Sequence, residues 1–403
     1  MGLLSRRGLL KSPGPIGVVV AANFIAVASR MSLVTFLGIY FVHEAGIDIA
    51  VVGIAYLCEN AARGLLAPMF GALSDRHGRR PLLIASYVAT GLVLPCFLLV
   101  GGPASLVVWS LALGVAGAVS IPVSSALLLD LAPPERRQSV LAVNYTAISV
   151  AYTLAVMPAG YVAQHSYKLL AALSACGYVA IVLLYLANRF APPARKAESR
   201  LAGEMLVLAR DPVFLRFAAC AFAFPLGMGM VVAASPLFAA ANGLGEGYIG
   251  LVLGGNSIIV AALAVPVAAR IESSGPFRWL GGAALVVSGA FVLYALVPHP
   301  ASALLAGTVV FSFAELVFSS AVPAGIAAIS PPERRGAYQG GWSLVSSFAM
   351  GSALFLSGVL RELSGWTGAW LASAGLLAAA AAALFATRGY FLRVSAARRG
   401  APG

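Results

Sequence analysis

The chain has 403 residues, of which 60% are hydrophobic and only 10% charged, with a mean hydropathy of +0.92. A soluble domain carries about 25% charged residues, so this composition excludes a water-soluble enzyme or scaffold of such length. The net charge of +12 does not specify a nucleic-acid partner, because the basic residues lack the clustering and aromatic interleaving of a nucleic-acid surface.

The apolar residues fall in blocks of ~20 or more, the length that crosses a bilayer as a helix. In chain order the pattern predicts spans over 15–42, 48–71, 81–101, 105–130, 139–164, 168–189, 213–240, 247–270, 278–298, 301–329, 337–360 and 367–388. The first apolar run follows a short basic start over 1–11. It is too long for the core of a signal peptide and no cleavage pattern ends it, so it reads as a membrane helix. Most connections are very short, which makes neighbouring helices antiparallel. The exception is 190–212, polar and basic, predicted as a cytoplasmic linker between bundles over 1–189 and 213–403. Its 201–209 stretch has the pattern of a short helix lying on the membrane surface.

The pentapeptide PPERR occurs at 133–137 and again at 331–335, 198 residues later and after the fourth and tenth spans. This indicates an internal duplication, with halves related by an axis along the membrane normal. Of the 26 Lys and Arg, all but four lie at the N-terminus, in or beside the even-numbered loops, or in the C-terminal tail. The four are Lys168 and Arg361 in odd-numbered loops, and Arg30 and Arg63 inside spans. Positive residues stay inside, so both termini and both PPERR loops are predicted to be cytoplasmic in a multi-pass protein of the cell membrane, inner or plasma. Cys58, Cys96, Cys176 and Cys220 all sit in apolar blocks and read as packing residues, without disulfide or metal spacing.

Between the second and third spans lies Gly71-Ala-Leu-Ser-Asp75-Arg76-His-Gly78-Arg79-Arg80. This resembles the G-x-L-[SA]-D-R-x-G-R-[RK] loop of the major facilitator superfamily, and the twelve spans and six-plus-six repeat agree with it along the whole chain. The resemblance implies an all-α integral membrane protein with twelve transmembrane helices in two six-helix parallel-repeat halves, the major facilitator fold. It also implies alternating access, a cavity lined by helices 1, 4, 7 and 10, and a gating loop of Gly71, Asp75, Arg76, Gly78, Arg79 and Arg80. In that family the acidic residue at Asp75 meets the start of helix 11 and closes the cytoplasmic side. The second half keeps only a degraded counterpart, Arg270 to Gly275, with Ser273 198 positions after Asp75.

Four charged residues stand out well inside spans, where charge is costly and marks a cavity or a partner. Arg30 and Glu59 lie at similar depth on adjacent antiparallel helices, and Glu59 and Arg63 are spaced i,i+4 on one helix face. The cluster reads either as a buried structural ion network or as a substrate site with one surplus positive charge, suited to an anionic or zwitterionic solute. Glu315, midway along helix 10, has no cation nearby in sequence and is a candidate for proton coupling or substrate contact. Asp130, Arg136, Arg137, Arg334 and Arg335 are assigned to a cytoplasmic gate, with Asp130 expected to pair with Arg136 or Arg137. Asn23, Asn144, Tyr145, Asn256, Tyr338, Gln339 and Trp342 are further candidates to face the cavity, though each also suits helix packing.

The chain departs from the drug-exporter pattern at two places. Serine stands at position 110, four residues before Gly114, where exporters carry arginine. The helix 5 signature is reduced to Pro158 and Gly160, although Pro158 still implies a kink. The leading expectation is a secondary transporter moving a small organic solute, with proton-coupled efflux of a drug or metabolite ahead of proton-coupled uptake of an organic anion. A non-transporting membrane sensor ranks third. No phosphate-binding loop and no metal-ligand spacing appears, so no enzymatic activity, cofactor or metal is expected. The expected partners are a small-molecule substrate, protons and the lipid bilayer, with no nucleic acid, in a monomer.

Overall fold

The computed structural model describes residues 14–133, 136–188, 208–331 and 334–398. Among these, helix accounts for all regular structure. The long helices are α1 (Pro15–Glu44), α2 (Ile49–His77), α3 (Arg79–Leu99), α4 (Pro103–Leu131), α5 (Arg137–His165) and α6 (Tyr167–Ala187). The second set is α7 (Pro212–Ala241), α8 (Glu246–Ser274), α9 (Pro276–Leu296), α10 (Pro300–Ile329), α11 (335–364) and α12 (366–398). The last two run on through Gly365, whose φ of 68° breaks the helix and is readily adopted only by glycine.

The helix starts follow ordinary capping chemistry. Asp48 accepts from the Ala50 N–H at 2.7 Å, Ser166 from Leu169 at 3.2 Å, and Asp211 from Val213 at 2.8 Å. Proline opens α1, α4, α7 and α10, where its missing N–H has no intrahelical acceptor to lose. Large apolar side chains such as Leu99, Leu65 and Leu363 stay exposed on the outside. They suit a surface facing lipid, since helices satisfy their backbone groups internally.

The duplication is written into the backbone. Gly46 and Gly243 both take positive φ after the first helix of a half, and Gly78 and Gly275 do so after the second. Pro68 and Pro266 occupy matching places inside α2 and α8. The same hydrogen bond recurs in the two PPERR segments, with the Arg136 N–H bonded to the Pro133 carbonyl at 2.9 Å and that of Arg334 to Pro331 at 3.0 Å. The linker expected over 190–212 lies outside the described residues up to 207.

With twelve antiparallel spans, one membrane face carries the start of α1, the end of α12 and the starts of α5 and α11 (the terminal face) and the other is the far face. The halves meet along two seams, α2 against α11 and α5 against α8. Toward the far face these seams are tight. A Cβ on Gly53 would stand 2.3 Å from the Phe355 backbone nitrogen, and one on Gly160 would stand 2.3 Å from the Glu246 carbonyl oxygen. Tyr167 of α6 also donates to Glu246 at 3.4 Å across the divide. Gly53→Val should therefore wedge the far-face seam open, at the roughly 1–3 kcal/mol typical of overpacking. A cysteine placed at Ala50 should then react faster with a membrane-impermeant thiol reagent than in the Gly53 parent, and equal labelling would count against closure at this seam.

On the terminal face the second half is clasped at Asp211. Its carboxylate accepts a short hydrogen bond from the Tyr338 hydroxyl and lies 3.7 Å from Arg398, which donates to the Tyr338 oxygen at 3.1 Å. Partial burial opposes ionisation of Asp211. The Tyr338 hydroxyl, the Val213 and Phe214 N–H groups and the Arg398 charge outweigh it and hold its pKa below the ordinary value. A depressed carboxylate stabilises above its unfolded pKa and loses that contribution as pH falls through the folded one. Asp211→Asn should thus lower the melting midpoint at neutral pH, and the gap to wild type should close under acid conditions below the usual carboxylate range. A gap independent of pH would refute this linkage.

Candidate functional site

The i,i+4 spacing on α2 places Glu59 and Arg63 on one face, and α1 brings Arg30 to the same point. Both arginines donate to the same carboxylate oxygen, Glu59 Oε1, through very short hydrogen bonds. Glu59 is buried, its side chain only 4% exposed. Gly114 makes this packing possible, because a Cβ there would lie 2.4 Å from the Glu59 carbonyl oxygen. The absence of a side chain lets α4 press against α2 at the depth of the acid.

Guanidinium groups stay protonated in proteins, so two of them against one carboxylate leave one net positive charge. Arg30 Nε, Arg30 Nη1 and Arg63 Nε are buried without a hydrogen-bond partner among the described residues. The cluster borders a cavity of about 620 Å³ between the halves, a volume within the usual range for small-molecule sites. Met31, Val34, Leu37 and Tyr152 of the first half line it, together with Val232, Ala233, Ser343, Ser347 and Met350 of the second. The wall comes from α1, α2, α4, α5, α7 and α11. Helices 1, 4 and 7 contribute as the family resemblance implies, but α10 does not. α2 and α11 take part because their small residues let the seam approach the cavity.

Glu315 stands apart from this cluster. It accepts from the Asn256 amide of α8 at 2.9 Å, and Asn256 in turn accepts from Ser312 at 2.5 Å. No cation pairs with Glu315 among the described residues. Tyr145 and Tyr152 of α5 lie within its electrostatic reach. Tyr152 also lines the cavity, so it belongs both to the cavity wall and to the electrostatic surroundings of Glu315.

The loop after α2 is built inside the first half. Arg79 is buried and bonds to Asp130 at the end of α4, to Asp75 at 3.1 Å and to the Ser74 hydroxyl at 3.3 Å. Arg80 donates to the Tyr185 carbonyl of α6 at 2.8 Å. The loop thus ties α2, α4 and α6 together. Asp75 faces Arg79 in this conformation, and among the described residues no hydrogen bond or ion pair joins it to the start of α11. Asp130 finds Arg79 where Arg136 or Arg137 was expected, because α4 ends directly beside the α2–α3 turn. Arg136, Arg137, Arg334 and Arg335 are exposed at the starts of α5 and α11. Of the other candidates, Asn23 and Asn144 bond to each other at 2.8 Å. Trp342 packs on Phe217 and Phe318. Neither they nor Tyr145, Asn256, Tyr338 and Gln339 line the cavity.

The sequence model of the Major Facilitator Superfamily matches residues 19–247 and again 217–401, and the chain belongs to this family. Its general role is accordingly membrane transport, in a multi-pass protein. A Na(+), Li(+), K(+)/H(+) antiporter of Planococcus maritimus is 24% identical, over 88% of this chain and 95% of that protein. An uncharacterised MFS-type transporter of Bacillus subtilis, YqjV, is 23% identical over 80% of each. The fold is shared with a peptide transporter, POT (TM-score 0.80, 15% identity, 96% of this chain and 97% of that one), and with the nucleoside transporter NupG (0.78, 16%, 92% and 98%).

Proposed function

We propose that the chain is a proton-coupled secondary transporter that exports a small organic solute through the cavity between its halves. The terminal face is cytoplasmic on this reading, which the distribution of Lys and Arg supports. The observation that carries it is Glu315, a half-buried carboxylate held by a neutral amide, with the cavity-lining Tyr152 within its electrostatic reach. A carboxylate with no fixed counter-ion in an apolar wall can take up and release a proton as the surrounding helices shift. Support for the gating role of Asp75 comes from its position: released from Arg79, it sits at the end of α2 where the unpaired N–H groups of an approaching helix start favour a carboxylate. A second reading, uptake of an organic anion together with protons, draws on the surplus positive charge at Arg30 and Arg63.

Inverted membrane vesicles carrying the protein, given an imposed proton gradient, test the proposal. Cationic, neutral and anionic solutes are screened for accumulation. Export by proton exchange predicts accumulation that collapses with an uncoupler. Accumulation only in vesicles of the opposite orientation would select the uptake reading, and flux that ignores the gradient would sink proton coupling altogether.

A further inference from the structure

The arginine donors left over by Glu59 converge on one spot. A Cβ placed on Gly117 of α4 would lie 3.7 Å from Arg63 Nε and 3.8 Å from Arg30 Nη1, and both of these atoms lack a partner. Gly117 is also where α4 is interrupted, its helix ending there and resuming at Ser120. Buried N–H groups in proteins are nearly always paired, and an unpaired one costs about 1–3 kcal/mol. Here donors from two side chains are unpaired together, beside a cavity, in a cluster with net charge of one positive.

We infer that the space facing Gly117 is an anion subsite, where Arg30 and Arg63 together bind the carboxylate of the transported solute. The inference rests on the transport reading and names its substrate class: an organic monoanion with an apolar body. A planar guanidinium matches a carboxylate in geometry and charge. One surplus charge balances one carboxylate, whereas a cation would meet two arginines and a neutral solute would leave the charge uncompensated. The rest of the solute would lie along Met31, Val34 and Leu37, with Ser343 and Ser347 opposite. Glu59 acts on this site indirectly. By occupying one donor from each arginine it fixes their orientation, which leaves Arg63 Nε and Arg30 Nη1 buried beside Gly117 at the edge of the cavity.

The test is binding to purified full-length protein in nanodiscs, which does not depend on transport. The probes are matched sets of carboxylate, primary amide and amine on the same body: phenylbutyrate, phenylbutyramide and phenylbutylamine, with the corresponding indole and octyl compounds. Carboxylates should bind, with amides and amines weaker by at least about tenfold, the equivalent of roughly 1.4 kcal/mol. Gly117→Ala provides the decisive variant. Its methyl group fits at ordinary van der Waals distance, so the unliganded melting midpoint should be unchanged while carboxylate affinity falls at least about tenfold. Arg63→Gln should remove the preference for carboxylates over amides. The inference is overturned if amines or amides bind as well as carboxylates, if no carboxylate in the sets binds, or if Gly117→Ala and Arg63→Gln both retain wild-type carboxylate affinity. Carboxylate binding without gradient-driven flux would instead count against the transport reading alone, and gradient-driven flux of amines would remove this inference and leave transport standing.

Discussion

Replacing Glu59 with leucine alone is expected to remove most folded protein from the membrane. The carboxylate is the shared partner of Arg30 and Arg63. Without it, two buried guanidinium groups face each other with no negative charge between them. Breaking a buried ion pair by deleting one partner costs about 3–5 kcal/mol, because the remaining charge is left uncompensated. Here two charges are stranded and also repel. The measurements are the yield of monodisperse protein after extraction and its melting midpoint, and a midpoint within a few degrees of wild type would refute the expectation. The triple replacement Arg30→Met, Glu59→Leu, Arg63→Met separates structure from function. Exchanging an entire buried network for apolar side chains of similar volume is often neutral or stabilising, so the triple variant should recover much of the lost yield. If the cluster serves only to hold α1 against α2, the triple variant should also transport. If it holds the solute, the variant should fold and remain inactive.

Much of the fold was legible in the sequence because a bilayer constrains a chain severely. Long apolar blocks, loop charge and the PPERR repeat were enough to place twelve spans, and their ends fell within a few residues except where helices run past the apolar block, as α2 does to His77 and α12 to Arg398. The charged triad was legible too, since i,i+4 spacing and matching depth bring Arg30, Glu59 and Arg63 together. What could not be read was partner choice between helices far apart in sequence. Arg79 meets Asp130 across 51 positions and Asn256 meets Glu315 across 59, and no local pattern encodes either. The clasp of Asp211, Tyr338 and Arg398 was missed for the same reason. Gly117 carried a faint signal: it lies 198 residues before Glu315, at the equivalent place in the repeat. Where one half has a carboxylate the other has a glycine, and the glycine makes room for arginine donors from its neighbours. Asp75 shows a different limit. A residue that changes partners between states has no single contact to predict, and one conformation displays only its pairing with Arg79.

Glu315→Gln is expected to abolish gradient-driven accumulation while leaving the protein folded. Glutamine retains the shape and the carbonyl oxygen that accepts from Asn256, so the α8–α10 contact survives. It cannot take up a proton at any accessible pH. In the absence of a membrane potential, a gradient of one pH unit is worth about 1.4 kcal/mol per proton, which sustains roughly a tenfold solute ratio for one-to-one coupling. The variant should lose that ratio and equilibrate at unity. Counterflow separates loss of coupling from loss of transport, because exchange of labelled for unlabelled solute at equal pH needs binding and the rocking of the halves but no net proton movement. The variant should keep counterflow near the wild-type rate. If accumulation and counterflow vanish together, Glu315 is required for binding or for the conformational change itself. If accumulation persists, the coupling proton resides elsewhere, and Glu59, the buried carboxylate of α2, becomes the next group to test. It would have to release two arginines to accept a proton, an electrostatic obstacle that Glu315, paired with an amide, does not face.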